Sequence, residues 1–135
     1  MSKKIRTCEL KTPFEKSDTG WDEYPRPQMK RSSYLSLCGQ WQLSVKKQNE
    51  TTPLGEITVP YPPESRISGI SRNLEKDEQY IYNKVFTVAD DFNKGRILLH
   101  FGAVDQLAKV WVNDSFVGEH IGGSLPFSFD ITDFA

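Results

Sequence analysis

The chain has 135 residues and a formal net charge of -1, with 17 Lys and Arg against 18 Asp and Glu. The length fits one domain, and the charge balance excludes the basic surplus that nucleic-acid-binding proteins present to phosphate. The apolar runs are too short for a membrane-spanning helix and no secretory signal follows Met1, so we expect a cytoplasmic protein with no membrane or nucleic-acid partner.

The N-terminal third shows no periodic apolar pattern. Residues 1–20 are polar, which predicts a flexible arm ahead of a domain at residues 21–135. Pro25 and Pro27 each fix φ and remove a backbone donor, so the chain around them should run extended over a surface. We interpret this stretch as a strap packed on its own domain or on a neighbouring one. A proline-rich ligand for an aromatic groove is the less favoured alternative, because the PxxP spacing is absent.

From residue 40 onward the dominant period is two, which is typical of β-strands. The predicted strands, in chain order, are residues 40–45, 57–59, 80–88, 97–101, 108–113, 116–121 and 127–131. Polar residues 46–55 and 64–78 are predicted loops, and a loop as long as the second is more often functional than idle. With no helical period of three turns, the pattern predicts an all-β antiparallel sandwich or barrel.

Three of these segments carry more specific expectations. Residues 97–101 are apolar on both faces, which favours a central strand. Asn113 and Asp114 both accept left-handed φ, so they should form the turn of a hairpin between strands 108–113 and 116–121. In the last strand, the alternation should point Phe127, Phe129 and Ile131 inward.

Five aromatic side chains are expected to form one core, namely Trp41, Phe101, Trp111, Phe127 and Phe129. On that expectation a Trp111→Ala substitution would cost about 3–5 kcal/mol if the ring were fully buried. Cys8 and Cys38 are expected to be free thiols, since a reducing compartment disfavours the alternative of a bridge between them.

No complete active site is visible among the polar residues. His100 lies in the middle of an apolar strand, where a structural role is expected, and His120 lies beside a glycine-rich loop. Asp77–Glu78 and Asp90–Asp91 are adjacent pairs whose side chains point to opposite sides of an extended chain, so they cannot form the facing carboxylates of a glycosidase. No third ligand stands at metal spacing, and we predict no cofactor or metal.

Three stretches, taken together, resemble the N-terminal sugar-binding domain of glycoside hydrolase family 2, the group of β-galactosidases and β-glucuronidases. Residues 24–31, YPRPQMKR, and residues 37–41, LCGQW, resemble its proline-containing lead-in and its L-N-G-x-W start, with Cys38 where Asn is usual. Residues 82–86, YNKVF, resemble its aromatic–basic–basic–x–Phe strand, with Ile81 replacing a frequent Trp.

The third stretch is the most specific. It comprises FGAV at 101–104, AKVWVND at 108–114 and VGEHIGGSLPFSFDIT at 117–132. These match the family's F-x-G-V, A-x-V-W-V-N-G and V-G-x-H-x-G-G-x-x-P-F-x-F-D-I-T segments, with Asp114 in place of the turn glycine. The resemblance covers residues 21–135.

The resemblance implies a jelly-roll-like antiparallel β-sandwich of the galactose-binding-domain type. It also implies a parent enzyme that hydrolyses O-glycosidic bonds with glutamates in a separate (β/α)8 barrel, so the chain alone should be inactive. Its partners would be carbohydrate, bound by the parent enzyme, and the remaining domains of the parent chain. In the family, a loop before the aromatic–basic strand reaches toward the sugar, which makes Asp77 and Glu78 candidate substrate-binding residues.

The resemblance further implies that the sandwich lacks its last strands, because family domains continue past the D-I-T segment. Exposed strand edges would then favour pairing between two copies.

Two other functions stay open. A free-standing carbohydrate-binding module would need a stacking platform, for which Trp21, Tyr24 and Tyr61 are the candidates. A protein-interaction domain would instead use the strap and the long loop to bind a partner.

Overall fold

The structure is a computed structural model that describes Gln28 and residues 31–135. The described residues form seven strands: β1 (Gly39–Lys47), β2 (Glu50–Val59), β3 (Glu78–Asn83), β4 (Leu98–Phe101), β5 (Leu107–Val112), β6 (Ser115–Ile121) and β7 (Phe127–Asp130). Every strand pairing among them is antiparallel, and Arg66–Ser68, between β2 and β3, form a 3-10 turn. The predicted all-β class with antiparallel sheets is confirmed.

The described chain consists of two compact units. Leu35–Val85 belong to the first unit, and Arg31–Tyr34 with Phe86–Ala135 form the second. No helix in the described part is long and apolar enough to cross a membrane.

The first unit contains one sheet with the strand order β2-β1-β3. Alternation along β1 buries Leu43 and Val45, and Ile57 of β2 is buried with them. Trp41 is half-buried, and its indole N–H donates to the carbonyl of Leu37 at 2.7 Å. Trp41, Leu43 and Val45 thus share the inward face of β1, as the period of two at residues 40–45 requires.

Residues 50–55, predicted as loop, belong instead to β2, which pairs along the whole of β1 after a turn at Gln48–Asn49. The loop prediction rested on the polar composition of this segment. Its Pro53 lies on an edge strand, where the backbone donor that proline lacks is not needed. The register shifts between Leu43 and Ser44, which leaves Leu54 as the extra residue of a β-bulge.

The second unit has two layers by itself, the pair β4–β7 and the hairpin β5–β6. The Phe127 ring stacks on Phe101 with centroids 4.8 Å apart and on the ring of His120 at 4.2 Å. At Gly118 of β6 a Cβ atom would collide with the Phe129 ring. The inner faces of the two layers thus pack against each other, as the layers of a β-sandwich do.

The predicted hairpin turn is confirmed. Asn113 and Asp114 have φ of 46° and 65°, the left-handed values that a tight two-residue turn requires. The side-chain amide of Asn113 donates to the carbonyl of Phe134 at 2.7 Å, which holds the chain that follows β7.

Three sequence expectations are corrected. Trp111 is 55% exposed and so is not a core residue, because it lies on the outward side of the hairpin. In the described sheets β4 pairs with β7 alone, so it is not a central strand, and its outer face carries the exposed Leu98 and His100. The strand predicted to reach Val88 ends at Asn83.

Candidate functional site

The long loop between β2 and β3 is held by its own polar groups. The buried hydroxyl of Ser68 donates to the carbonyl of Ser65 at 2.7 Å and accepts the backbone N–H of Ile70 at 3.1 Å. The phenol of Tyr80 donates to the carbonyl of Arg72 at 2.9 Å. Such bonds fix a loop that has no regular ladder of its own.

Glu78 ends this loop, and its side chain is only 6% exposed. Its carboxylate accepts the backbone N–H of Glu75 at 2.9 Å and the guanidinium of Arg72 at 2.7 Å. Both hydrogen bonds lower the pKa of Glu78, and the bond from the Glu75 N–H has the larger effect. The paired guanidinium has a correspondingly raised pKa, mainly through the same hydrogen bond to Glu78. Glu78 is therefore an ionised anchor of the loop.

Asp77 is exposed and lies in the turn just before β3. Its φ of 65° is left-handed, which Asp tolerates better than most residues do. It lines an open surface depression of about 420 Å³. The lining residues are Lys46, Gln48, Asp77, Glu78 and Gln79.

The depression offers the groups that a sugar hydroxyl can bond. Gln48 and Gln79 each carry an amide that both donates and accepts, Lys46 donates, and the Asp77 carboxylate accepts. Lys46 and Gln79 are direct partners in the β1–β3 ladder, so they share one side of the sheet. The turn between β1 and β2 brings Gln48 to the same end.

Two carboxylates approach each other at Lys47. Its ammonium lies 3.2 Å from Glu75 and 3.9 Å from Glu78. Glycoside cleavage needs one carboxylic acid that stays protonated, which requires a raised pKa. The lowered pKa of Glu78 is the opposite condition, so Glu78 is not suited to the role of the acid.

The two histidines have structural surroundings. His100 Nδ1 and the Ser128 hydroxyl lie 2.5 Å apart across β4 and β7, and the Arg31 guanidinium lies 3.5 Å from Nε2. The expected structural role of His100 is supported by these contacts. His120 stacks on Phe127, and its buried Nε2 has no hydrogen-bond partner within the described residues.

The residues that carried the family resemblance serve packing and turns where the structure describes them. Lys84 of the YNKVF stretch donates to the carbonyl of Gln40 at 2.8 Å and lies 5.7 Å from the centroid of the Trp41 ring, so it joins the second stretch to the first. Asp105 occupies the space that a Cβ atom at Gly123 would need. The pKa of Tyr82 is raised to about 12, mainly by burial of the phenol, so the phenol stays protonated.

The aromatic platform considered for a free-standing module finds no support among the described residues. Tyr61 is half-buried, whereas Trp21 and Tyr24 lie outside the described residues. Cys38 carries a free thiol, and Cys8 is likewise outside the described residues.

A family model for the sugar-binding domain of glycosyl hydrolases family 2 matches residues 12–135. The chain belongs to this family. Its membership confirms the resemblance read from the three stretches and favours an enzyme domain over a free-standing module.

Curated relatives carry two enzyme names. The chain is 31% identical to a β-glucuronidase of Streptococcus agalactiae over 109 residues, which is 77% of this chain and 18% of that protein. It is 29% identical to a β-glucuronidase of Felis catus over 127 residues, 81% of this chain and 19% of that protein. A β-galactosidase of Thermoanaerobacter pseudethanolicus is 44% identical over 62 residues, 44% of this chain and 8% of that protein. The chain thus spans less than a fifth of the length of these relatives.

Sequence reasoning singled out Asp77 and Glu78 but missed the residues around them. Lys46 and Gln48 lie far from residue 78 in the chain, and only the pairing of β1 with β3 brings them beside it, whereas Arg72 is six residues away. The sequence feature that could have indicated the Arg72–Glu78 ion pair was the charge pattern, in which the paired acids at 77–78 follow an arginine in the same loop.

Proposed function

We propose that this chain is the N-terminal sugar-binding domain of a cytoplasmic family 2 glycoside hydrolase that cleaves O-glycosidic bonds of β-glucuronides or β-galactosides. The domain proper would comprise residues 21–135, preceded by an arm at residues 1–20. The observation that carries the proposal is the family match over residues 12–135, together with relatives named for both activities.

In this proposal the chain binds and positions, and the reacting carboxylates belong to another part of the enzyme. Retaining and inverting glycosidases alike need two carboxyl groups flanking the scissile bond. Of the two described carboxylates that contact Lys47, Glu78 has a lowered pKa, which does not suit it to be the acid of such a pair.

Asp77 is proposed to contact a sugar hydroxyl, with Glu78 as the positioning residue that holds the loop. Asp77 is exposed beside two amides and an ammonium, whereas Glu78 is engaged with Arg72 and the Glu75 N–H. A carboxylate that accepts from a sugar hydroxyl forms a charge-assisted bond, which is stronger than a neutral one.

A chimera tests the proposal. Residues 12–135 of this chain replace the matching segment of the S. agalactiae β-glucuronidase, and hydrolysis of p-nitrophenyl β-D-glucuronide is measured. We expect a folded chimera that keeps the parent's activity to within about tenfold, equal to about 1.4 kcal/mol in the activation free energy. The same exchange into the T. pseudethanolicus β-galactosidase, assayed on the β-galactoside, identifies the better-suited sugar.

Gel filtration and circular dichroism of both chimeras separate misfolding from loss of function. Two folded chimeras that hydrolyse neither glycoside would contradict the proposal.

A further inference from the structure

The hairpin β5–β6 has apolar side chains on both of its faces. Its inner face, with Val110 and Gly118 in register, packs toward Phe129. Its outer face is formed by three cross-strand pairs, Leu107–Ile121, Lys109–Glu119 and Trp111–Phe116. We call these six residues the outer hairpin face.

Four large apolar side chains of this face are open to solvent. Leu107 is 54% exposed, Ile121 71%, Trp111 55% and Phe116 51%. A strand that is apolar on both sides is typical of a strand covered on both sides. Together these side chains present on the order of 500 Å² of apolar surface, which is the size of the largest patch on a typical soluble monomer, and such a patch is often functional.

A β-bulge creates this arrangement. The register shifts between Val110 and Trp111, so Phe116 rather than Val117 lies opposite Trp111. The two rings approach to 5.4 Å between centroids. Without the extra residue, simple alternation would have turned Phe116 to the inner face.

We propose that two copies of this chain pair through the outer hairpin face, related by a two-fold axis parallel to the strands. Such an axis lies in the interface and stacks β5 of one copy on β6 of the other. Residues opposite each other within a hairpin then meet across the interface. Trp111 packs on the Phe116 of the second copy, Leu107 on its Ile121, and Lys109 faces its Glu119.

The layout of charge selects a second copy as the occupant. Lys109 and Glu119 are directly opposite in register and both exposed, between two apolar pairs. An isologous contact requires a surface complementary to itself. With the axis parallel to the strands, each of the three pairs meets its own complement across the interface. The interface then contains two Lys–Glu contacts in the middle, with two Trp–Phe contacts on one side of them and two Leu–Ile contacts on the other. An axis across the strands would oppose Lys109 to Lys109.

The size of the patch indicates a weak dimer. With the stems of Lys109 and Glu119 added, each copy buries less than the roughly 800 Å² per partner of a standard interface. The pairing goes beyond the proposed function, since it concerns how copies of the chain associate.

Sedimentation equilibrium of the 135-residue chain tests the pairing. At about 1 mM, above the micromolar dissociation constants of modest interfaces, the weight-average mass should approach twice 15.5 kDa. Lys109→Glu and Glu119→Lys should each stay near the monomer mass, because each single variant opposes like charges across the axis. An equimolar mixture of the two variants should return to the dimer mass, since each then offers the charge that the other lacks.

The mixture is the decisive measurement, because mixing cannot repair a folding defect; circular dichroism of each variant checks that both are folded. A wild-type chain that stays monomeric at 1 mM overturns the proposal. So does a dimer that persists in both single variants, which would place the contact at a strand edge or elsewhere. Either result leaves the family 2 assignment and the chimera test unaffected.

Discussion

Asp77 and Glu78 are neighbours that the fold uses in different ways. The side chain of Glu78 turns inward to Arg72 and to the Glu75 N–H, whereas Asp77 turns outward to the depression beside Lys46. Both acids line this depression, but Asp77 lies in the turn before β3 with a left-handed φ, whereas Glu78 is the first residue of that strand. Because the Glu78 carboxylate is engaged with Arg72 and the Glu75 N–H, Glu78 is the stability residue and Asp77 is the candidate for binding.

Glu78→Gln should lower the melting temperature at neutral pH by several degrees, because Arg72 would lose its charged partner. The folded-state pKa of Glu78 is lowered, so its contribution is complete above the unfolded value near 4.5 and is lost as pH falls through the folded value. The difference in melting temperature between the wild type and the Glu78→Gln variant should therefore become smaller below about pH 4. Thermal melts from pH 3 to pH 7 measure it.

Glu75→Gln is the matched control, since the Glu75 carboxylate is 66% exposed and contacts Lys47 at the surface. It should change the melting temperature far less. Equal effects of the two variants would mean that Glu78 is not the anchor of the loop.

Asp77→Asn, made in the β-glucuronidase chimera, should raise KM about 3- to 10-fold with a small change in kcat, as expected for loss of one charged hydrogen bond to substrate. Asn keeps the size of the side chain and tolerates the left-handed φ of this position. Asp91→Asn, at another exposed turn, is the control and should leave KM unchanged. An unaltered KM in the Asp77 variant would remove this residue from the sugar site.

At the scale of elements, the second unit depends on how closely its two layers approach. Gly118 of β6 lies so near the Phe129 ring of β7 that a side chain at position 118 would overlap it. This contact explains why a glycine stands in the middle of a strand, where glycine otherwise weakens the pairing.

Gly118→Ala should destabilise the chain by about 1–3 kcal/mol, the usual cost of forcing an extra methyl group into a packed core. Gly102→Ala is the control, because a Cβ atom there meets nothing within 4 Å. Urea unfolding monitored by tryptophan fluorescence compares the two variants. A Gly118 variant as stable as the Gly102 variant would show that the layers can separate without cost.

The end of β7 is fastened by Asp130. Its carboxylate accepts the Thr132 hydroxyl at 2.5 Å and the Thr132 N–H at 3.1 Å, and it pairs with Arg96. These bonds lower the pKa of Asp130 to about 2, and the two from Thr132 have the largest effect. The contribution of Asp130 to stability is thus present above its unfolded value near 3.8 and disappears as pH falls toward 2.

Asp130→Asn should accordingly lower the melting temperature above pH 4 and lose most of its effect near pH 2. Melting curves of both proteins across this range provide the comparison. A difference that stays constant with pH would indicate that packing, rather than charge, sets the effect of the substitution.

At the scale of the whole molecule, the proposed function assigns binding and support to these 135 residues and the reacting carboxylates to another part of the enzyme. The purified chain should therefore release no measurable p-nitrophenol from β-glucuronide or β-galactoside substrates, whereas the folded chimera should. Hydrolysis by the chain alone, retained through a second purification step and abolished by Glu75→Gln or Glu78→Gln, would show that the carboxylates at Lys47 are catalytic after all.

The strand class, the hairpin turn and the family could all be predicted from the sequence. Alternation buries Leu43 and Val45, Asn113 and Asp114 accept the left-handed φ of a tight turn, and the quoted motifs lie at these turns and strands. Each depends on residues close together in the chain, so a local pattern is enough to reveal them.

Which face of a strand is covered depended instead on the assembled fold, as did the identity of the residues that surround Asp77 at the depression. Trp111 looked like a core residue because alternation gives two faces without saying which is buried, and the bulge at Val110–Trp111 then placed Phe116 beside it. Likewise, Pro53 lies within β2 because that strand is at an edge. Burial, edge position and register are set by contacts between residues distant in sequence, and these form only when the sheets assemble.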